Sequence, residues 1–215
     1  MIAAILFDLD GTLVNSDPIH YKAWQEILRD YGIEIDEAFY KRHISGRINP
    51  LIVQDILPQM SLEEGQRFAE GKEVRFRELA SELQPVAGLS DVLAWIDKCG
   101  LKRAVVTNAP RENAHFMLKI LGLTDVFATV ILAEDAEAGK PHPAPYQMAL
   151  RSLNITPESA IAFEDSPSGI RSAVGAGICT IGIASTYNPD ELCEAGAKIA
   201  VPDFTSKLLW SWLTR

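Results

Sequence analysis

The chain has 215 residues, 47% of them hydrophobic, and a formal net charge of −9. That content suits a soluble protein with a substantial core, and the acidic balance argues against nucleic acid or anionic membrane as a partner. No apolar run nears the ~18 residues of a membrane span, no basic leader precedes the first one, and Cys99, Cys179 and Cys193 show no C-x-x-C spacing, so idle thiols in a reducing cytoplasm are expected.

The first apolar run, Ile2 to Phe7, reads as a strand buried on both faces of a parallel sheet. It delivers Asp8 and Asp10, and Gly11 and Thr12 then turn the chain. Asp17-Pro18 predicts a helix start with Asp17 as the cap. Trp24, Ile27, Leu28 and Tyr31 follow at helical spacing, with Gly32 as the stop. Ser61 to Glu64 forms a capping-box pattern ahead of a helix carrying Phe68, Phe76, Leu79 and Leu83. Pro85 and Gly88 mark a change of rhythm.

Beyond them, apolar runs alternate with helical patterns. Strands are expected at 101–108, 128–134, 159–165 and 179–185. The helices between them start at Ser90, Pro110, Pro143 and Pro167 or Ser168, and the first, second and fourth stop at Gly100, Gly122 and Gly177. Strand and helix in alternation predict an α/β fold, a Rossmann-like parallel sheet with helices on both faces. Residues 15–85 carry no strong strand and are expected to form a helical domain inserted into a core made of 1–14 and 86–215. An insert at that point is expected over the carboxyl edge of the sheet, where ligands bind in such folds.

The polar residues at the strand ends fall on that same edge: Asp8 and Asp10, Thr107 and Asn108, Lys140 in its loop, and Glu164 with Asp165. Each alone has an ordinary explanation as a turn residue, a helix cap or a solvated lysine. Together they suit phosphoryl chemistry. Carboxylates from separate strands can share one Mg2+ ion; a hydroxyl, an amide and a lysine can hold a phosphoryl group. One carboxylate can attack phosphorus, and a second can move the proton. The chain has no G-x-S-x-G elbow, no P-loop and no G-x-G-x-x-G.

DLDGTL at 8–13, TN at 107–108, GKP at 139–141 and FEDS at 163–166 resemble the motifs of the haloacid dehalogenase-like superfamily. The branch it resembles has an α-helical cap and includes β-phosphoglucomutase and many small phosphatases. The resemblance implies a Rossmann-like core, Mg2+ as cofactor and a small phosphorylated metabolite as substrate; a monomer with neither nucleic acid nor membrane as partner is expected. It implies Asp8 as nucleophile and Asp10 as general acid/base. Gly11, Thr107 and Asn108 would lie at the phosphate, and Lys140 would steady both nucleophile and phosphate. Asp165 would ligate the metal, with Glu164 beside it, Asp8 sharing the ion and Asp10 contributing its main-chain carbonyl. An aspartate at position 10 favours phosphoryl transfer over attack on carbon.

The cap is expected to choose the substrate. His20 matches a histidine that faces the active site in β-phosphoglucomutase-like proteins; a packed helix histidine is the other reading. Gly46 and Arg47 lie in a segment resembling the specificity loop. The mutase has a lysine before that glycine and an arginine after it, and Ser45 and Asn49 stand there instead. A phosphatase is therefore expected ahead of a phosphomutase, and a catalytically idle or receiver-like regulatory protein is the alternative from another class.

Overall fold

Ala4–Phe7 (β1) is buried at every position, as an uninterrupted apolar strand should be when both sheet faces are covered. The structure, a computed structural model, describes residues 2–80 and 83–214. Met1, Ser81, Glu82 and Arg215, which belong to the ranges expected above for core and insert, lie outside the described residues. Besides β1 the sheet contains Lys102–Thr107 (β2), Val130–Leu132 (β3), Ala160–Glu164 (β4), Cys179–Ile183 (β5) and Ile199–Val201 (β6). Every pairing is parallel, in the order β3-β2-β1-β4-β5-β6. The fold is the Rossmann-like α/β arrangement that the alternation predicts.

The chain divides into two units. One holds residues 1–15 and 84–215 and carries the sheet; the other holds 16–83 and is helical. In the helical unit, Asp17–Arg29 (α1), Glu37–His43 (α2), Asn49–Ile56 (α3) and Leu62–Leu79 (α4) bury Trp24, Leu28, Tyr40, Ile52, Val53 and Phe68 in a common cluster. α1 and α4 follow their predicted stripes, but Tyr31 and Leu83 fall past the helix ends. Asp17 is not the cap of α1. Ser16 holds that position, and the Asp17 carboxylate instead accepts the Tyr40 hydroxyl at 2.8 Å. Ser61 and Glu64 form the expected reciprocal box at α4.

The sheet unit continues with Leu89–Cys99 (α5), Arg111–Ile120 (α6), Ala144–Leu153 (α7), Pro167–Gly175 (α8), Pro189–Glu194 (α9) and Lys207–Leu213 (α10). Gly88, not Ser90, caps α5. Strand alternation sorts the core onto two faces. Leu6, Ala104, Val106, Ala160 and Ala162 pack with Tyr146, Ala149 and Leu150 of α7 and Ala173 of α8. Phe7 and Phe163, one residue on, form the opposite aromatic cluster. Their rings stack at 5.3 Å, and Phe204 meets them edge-on at 6.2 and 5.2 Å. Truncating Phe163 to alanine would cost about 3–5 kcal/mol.

Candidate active site

The strand order reverses at β1: the chain runs outward through β2 and β3, then crosses to β4 on the other side. Such a switch point opens a crevice at the carboxyl ends of the strands. Phe7 is in register with Phe163, and Asp8 N–H donates to the Phe163 carbonyl at 3.0 Å. Asp8 therefore follows β1 at the level where Glu164 ends β4, with Asp165 next in the chain. Asp8, Glu164 and Asp165 each offer an oxygen within 4.8 Å of the others, and all three are buried.

Lys140 reaches this group from the loop after β3. Its Nζ lies 2.5 Å from Asp8 Oδ1 and 2.6 Å from Glu164 Oε1. Glu164 Oε1 also accepts the Tyr146 hydroxyl at 2.6 Å, and the ammonium stands 5.4 Å from the centre of that ring. Burial pushes the Asp8 carboxyl up to about 8; Lys140 opposes the rise, and Glu164 and Asp10 add to it. Burial would lower the Lys140 ammonium, but Asp8 and Glu164 outweigh it and hold the group above its ordinary value. Burial and the negative charge of Glu164 and Asp8 hold the Tyr146 phenol well above its usual range, so its hydroxyl stays a donor.

Among the described residues of the sheet unit three buried carboxylates stand with one buried ammonium, an excess of buried negative charge, and Glu164 Oε2 is buried with no hydrogen-bond partner. A buried, unpaired carboxylate oxygen is costly. A hard divalent cation with oxygen preference suits this donor set, so Asp8, Glu164 and Asp165 are the residues that could hold one. The Asp10 carboxylate lies outside the three-carboxylate group.

The loops that hold the cluster have readable reasons. Asn108 clamps the Lys140 backbone from both sides: Oδ1 accepts its N–H at 2.9 Å, and Nδ2 donates to its carbonyl at 3.1 Å. Thr107 is buried at the end of β2, and its hydroxyl accepts Ala109 N–H at 2.9 Å. Gly11, at φ +78°, donates its N–H to the Val14 carbonyl and accepts the Ser185 hydroxyl on its own. A Cβ at Gly11 would overlap the Asp165 carboxylate, and one at Gly169 would overlap that of Glu164. A side chain at either position would have to displace that carboxylate.

In the helical unit, His20 stacks on Phe76 at 4.0 Å, and its Nδ1 lies 2.8 Å from Lys72 Nζ. Lys72 also donates to Glu73 Oε1 at 3.0 Å, which in turn accepts Asn49 Nδ2. Burial alone would raise the Glu73 carboxyl, but Lys72 and His20 hold it below its ordinary value. Arg47 donates to the His43 carbonyl at 2.8 Å and pairs with Asp55 at 2.6 Å. Gly46 precedes it at φ +71°.

Comparison with known proteins identifies the family. The haloacid dehalogenase-like hydrolase family profile matches residues 5–183. The chain belongs to the haloacid dehalogenase-like hydrolases. Validoxylamine A 7'-phosphate phosphatase of Streptomyces hygroscopicus subsp. limoneus is 33% identical over 91% of this chain and 92% of its own length. The phosphorylated carbohydrates phosphatase of Thermotoga maritima is 32% identical, covering 90% of this chain and 91% of its own. The crystal structure of a CbbY mutant from Rhodobacter sphaeroides in complex with xylulose 1,5-bisphosphate superposes with a TM-score of 0.85 at 27% identity, over 96% of each chain. This member of the family is a phosphohydrolase, and the two curated relatives named above are phosphatases. Among the described residues no helix is long and apolar enough to cross a membrane.

Sequence reasoning missed Tyr146 and Gly169. Tyr146 reads as one more apolar position of α7. Gly169 interrupts the helix pattern of α8, and an isolated helix glycine commonly marks close packing; here the packing partner is Glu164.

Proposed function

We propose that the protein is a Mg2+-dependent phosphatase of small phosphate monoesters, sugar phosphates foremost, working through an aspartyl-phosphate on Asp8. The observation that carries this reading is the buried Lys140 ammonium shared between Asp8 and Glu164, with Asp165 alongside and one carboxylate oxygen unpaired. Asp8, Glu164 and Asp165 would hold Mg2+, with the main-chain carbonyl of Asp10 as a further oxygen. The bound ion supplies positive charge that draws an anionic ester to an anionic nucleophile.

The rest falls to the side chains. Lys140 offsets the charge of Asp8 and of the phosphoryl group. An Asp8 oxygen forms the new bond to phosphorus as the bond to the ester oxygen breaks, and Asp10 gives that oxygen its proton. Asp10 then takes a proton from water, the water oxygen attacks phosphorus, and Asp8 is released with inorganic phosphate. Thr107 and Asn108 lie at the phosphate; Asn108 also fixes Lys140. Gly11 provides the turn and the room for Asp165.

The helical unit is proposed as the substrate-selecting cap, with His20, Gly46 and Arg47 among the residues that read the substrate. Arg47 is already paired with Asp55, so a substrate anion would compete for it. Ser45 and Asn49, where the mutase carries cations, support hydrolysis over isomerisation. The reading takes the protein as a cytoplasmic monomer free of nucleic acid and membrane.

Rapid quenching with a reactive sugar phosphate, followed by borohydride reduction and peptide mass analysis, tests the intermediate. Conversion of Asp8 to homoserine is expected. Turnover with no modified Asp8, and normal turnover by Asp8→Asn, would each sink the mechanism.

A further inference from the structure

Glu164 ends β4 with its side chain completely buried. A carboxylate there must be held by its neighbours, because no water competes for it. Oε1 takes two donors, the Lys140 ammonium at 2.6 Å and the Tyr146 hydroxyl at 2.6 Å, while Oε2 takes none. The Cα of Gly169 closes against the same carboxylate so tightly that a Cβ would overlap both oxygens.

The two donors on Oε1 are not equivalent. Lys140 has a flexible stem, and its charge is shared with Asp8. A cation held by Asp8, Glu164 and Asp165 would repel that ammonium. Tyr146 carries no charge. Its ring is fully buried in the core cluster beneath the sheet, beside Ala149, Leu150 and Ala173. A phenol has only two side-chain torsions, so its hydroxyl stays where the packing puts it. We propose that Tyr146 is a positioning residue for the metal: its hydroxyl pins Glu164 Oε1 and so keeps Oε2 as the oxygen available to a divalent cation. The inference deepens the Mg2+ reading above and rests on it. Outer partners that orient metal-binding carboxylates commonly govern affinity by about 10- to 100-fold.

The test is calorimetric titration of Mg2+ into four proteins: wild type, Tyr146→Phe, Glu164→Gln and the double variant. Phenylalanine keeps the ring and its packing, and near-UV circular dichroism checks that it does. Tyr146→Phe is expected to weaken Mg2+ binding by about 10- to 100-fold. In the Glu164→Gln background the same change should have no further effect, because the oxygen that Tyr146 positions is already altered. Equal Mg2+ affinity of Tyr146→Phe and wild type overturns the proposal and leaves the Mg2+ reading standing. An undiminished loss in the Glu164→Gln background also overturns it, because Tyr146 would then act by another route. A wild type that binds no Mg2+ removes both.

A second measurement needs no variant. The chain has five tyrosines, and with their Cζ atoms labelled with carbon-13 the Mg2+ titration can be followed by NMR. The slow-exchanging signal of a buried phenol should move as the ion binds. If none of the five signals moves, the proposal fails.

Discussion

In the helical unit the buried Lys72 ammonium meets one carboxylate, Glu73, and one ring nitrogen, His20 Nδ1. In the sheet unit the buried Lys140 ammonium meets two carboxylates, Asp8 and Glu164, with Asp165 alongside. In the first network the buried charged groups among the described residues are one ammonium and one carboxylate, and Glu73 Oε1 also accepts Asn49 Nδ2. The second keeps a surplus of negative charge and an unpaired Glu164 oxygen. Among the described residues both units bury a lysine, but only the sheet unit buries more carboxylates than ammonium groups. A buried charge with a partner of opposite sign is tolerated; a buried surplus of one sign is costly unless something else offsets it. The surplus, rather than the burial, is what supports the proposed metal site.

That contrast can be broken by removing each lysine in turn. Lys140→Met should destabilise the Mg2+-free protein by about 3–5 kcal/mol, because the buried Asp8 and Glu164 carboxylates lose the ammonium they share. Urea unfolding should show part of the loss regained on adding Mg2+. No recovery would mean that the surplus charge is not a cation site.

Neutralising both partners of the other network is expected to be mild. Lys72→Met combined with Glu73→Gln should stay within about 2 kcal/mol of wild type in urea, whereas Lys72→Met alone should cost about 3–5 kcal/mol. If the double variant were as damaged as the single one, the network would not be self-contained.

The smallest expected effect is a change of slope with pH. The folded Glu73 carboxyl is held below its ordinary value of 4.5 by Lys72 and His20, against the effect of burial. A carboxyl with a lowered folded pKa binds fewer protons folded than unfolded. Its contribution is therefore full above the ordinary value and is lost as the pH falls through the lowered one. Urea midpoints of Glu73→Gln should fall less steeply than those of wild type below about pH 4.5. Parallel curves would count against the pairing.

Much of the site can be read in the sequence because its residues sit at strand ends, where an apolar run stops and a carboxylate, hydroxyl or lysine begins. Asp8, Thr107 and Glu164 each follow from that punctuation. Tyr146 does not, because its hydroxyl matters only through a residue 18 positions away. Nor does the clamp of Asn108 on the Lys140 backbone, 32 positions distant. β6 escapes the sequence pattern because three residues are too few to show a period, and α2 and α3 because seven- and eight-residue helices give barely two turns of pattern. Ser16 displaced Asp17 as the cap of α1 because the Asp17 carboxylate is drawn to Tyr40, a contact made 23 positions along the chain.

Phosphate release from a panel of sugar phosphates and other small monoesters, with and without Mg2+ and with Asp8→Asn as control, tests the central claim most directly. The account predicts release that needs Mg2+, favours a narrow set of esters and vanishes in the control. Isomerisation of β-glucose 1-phosphate with little release would point to the mutase instead. Folded protein that binds Mg2+ yet releases no phosphate from any ester would contradict the claim.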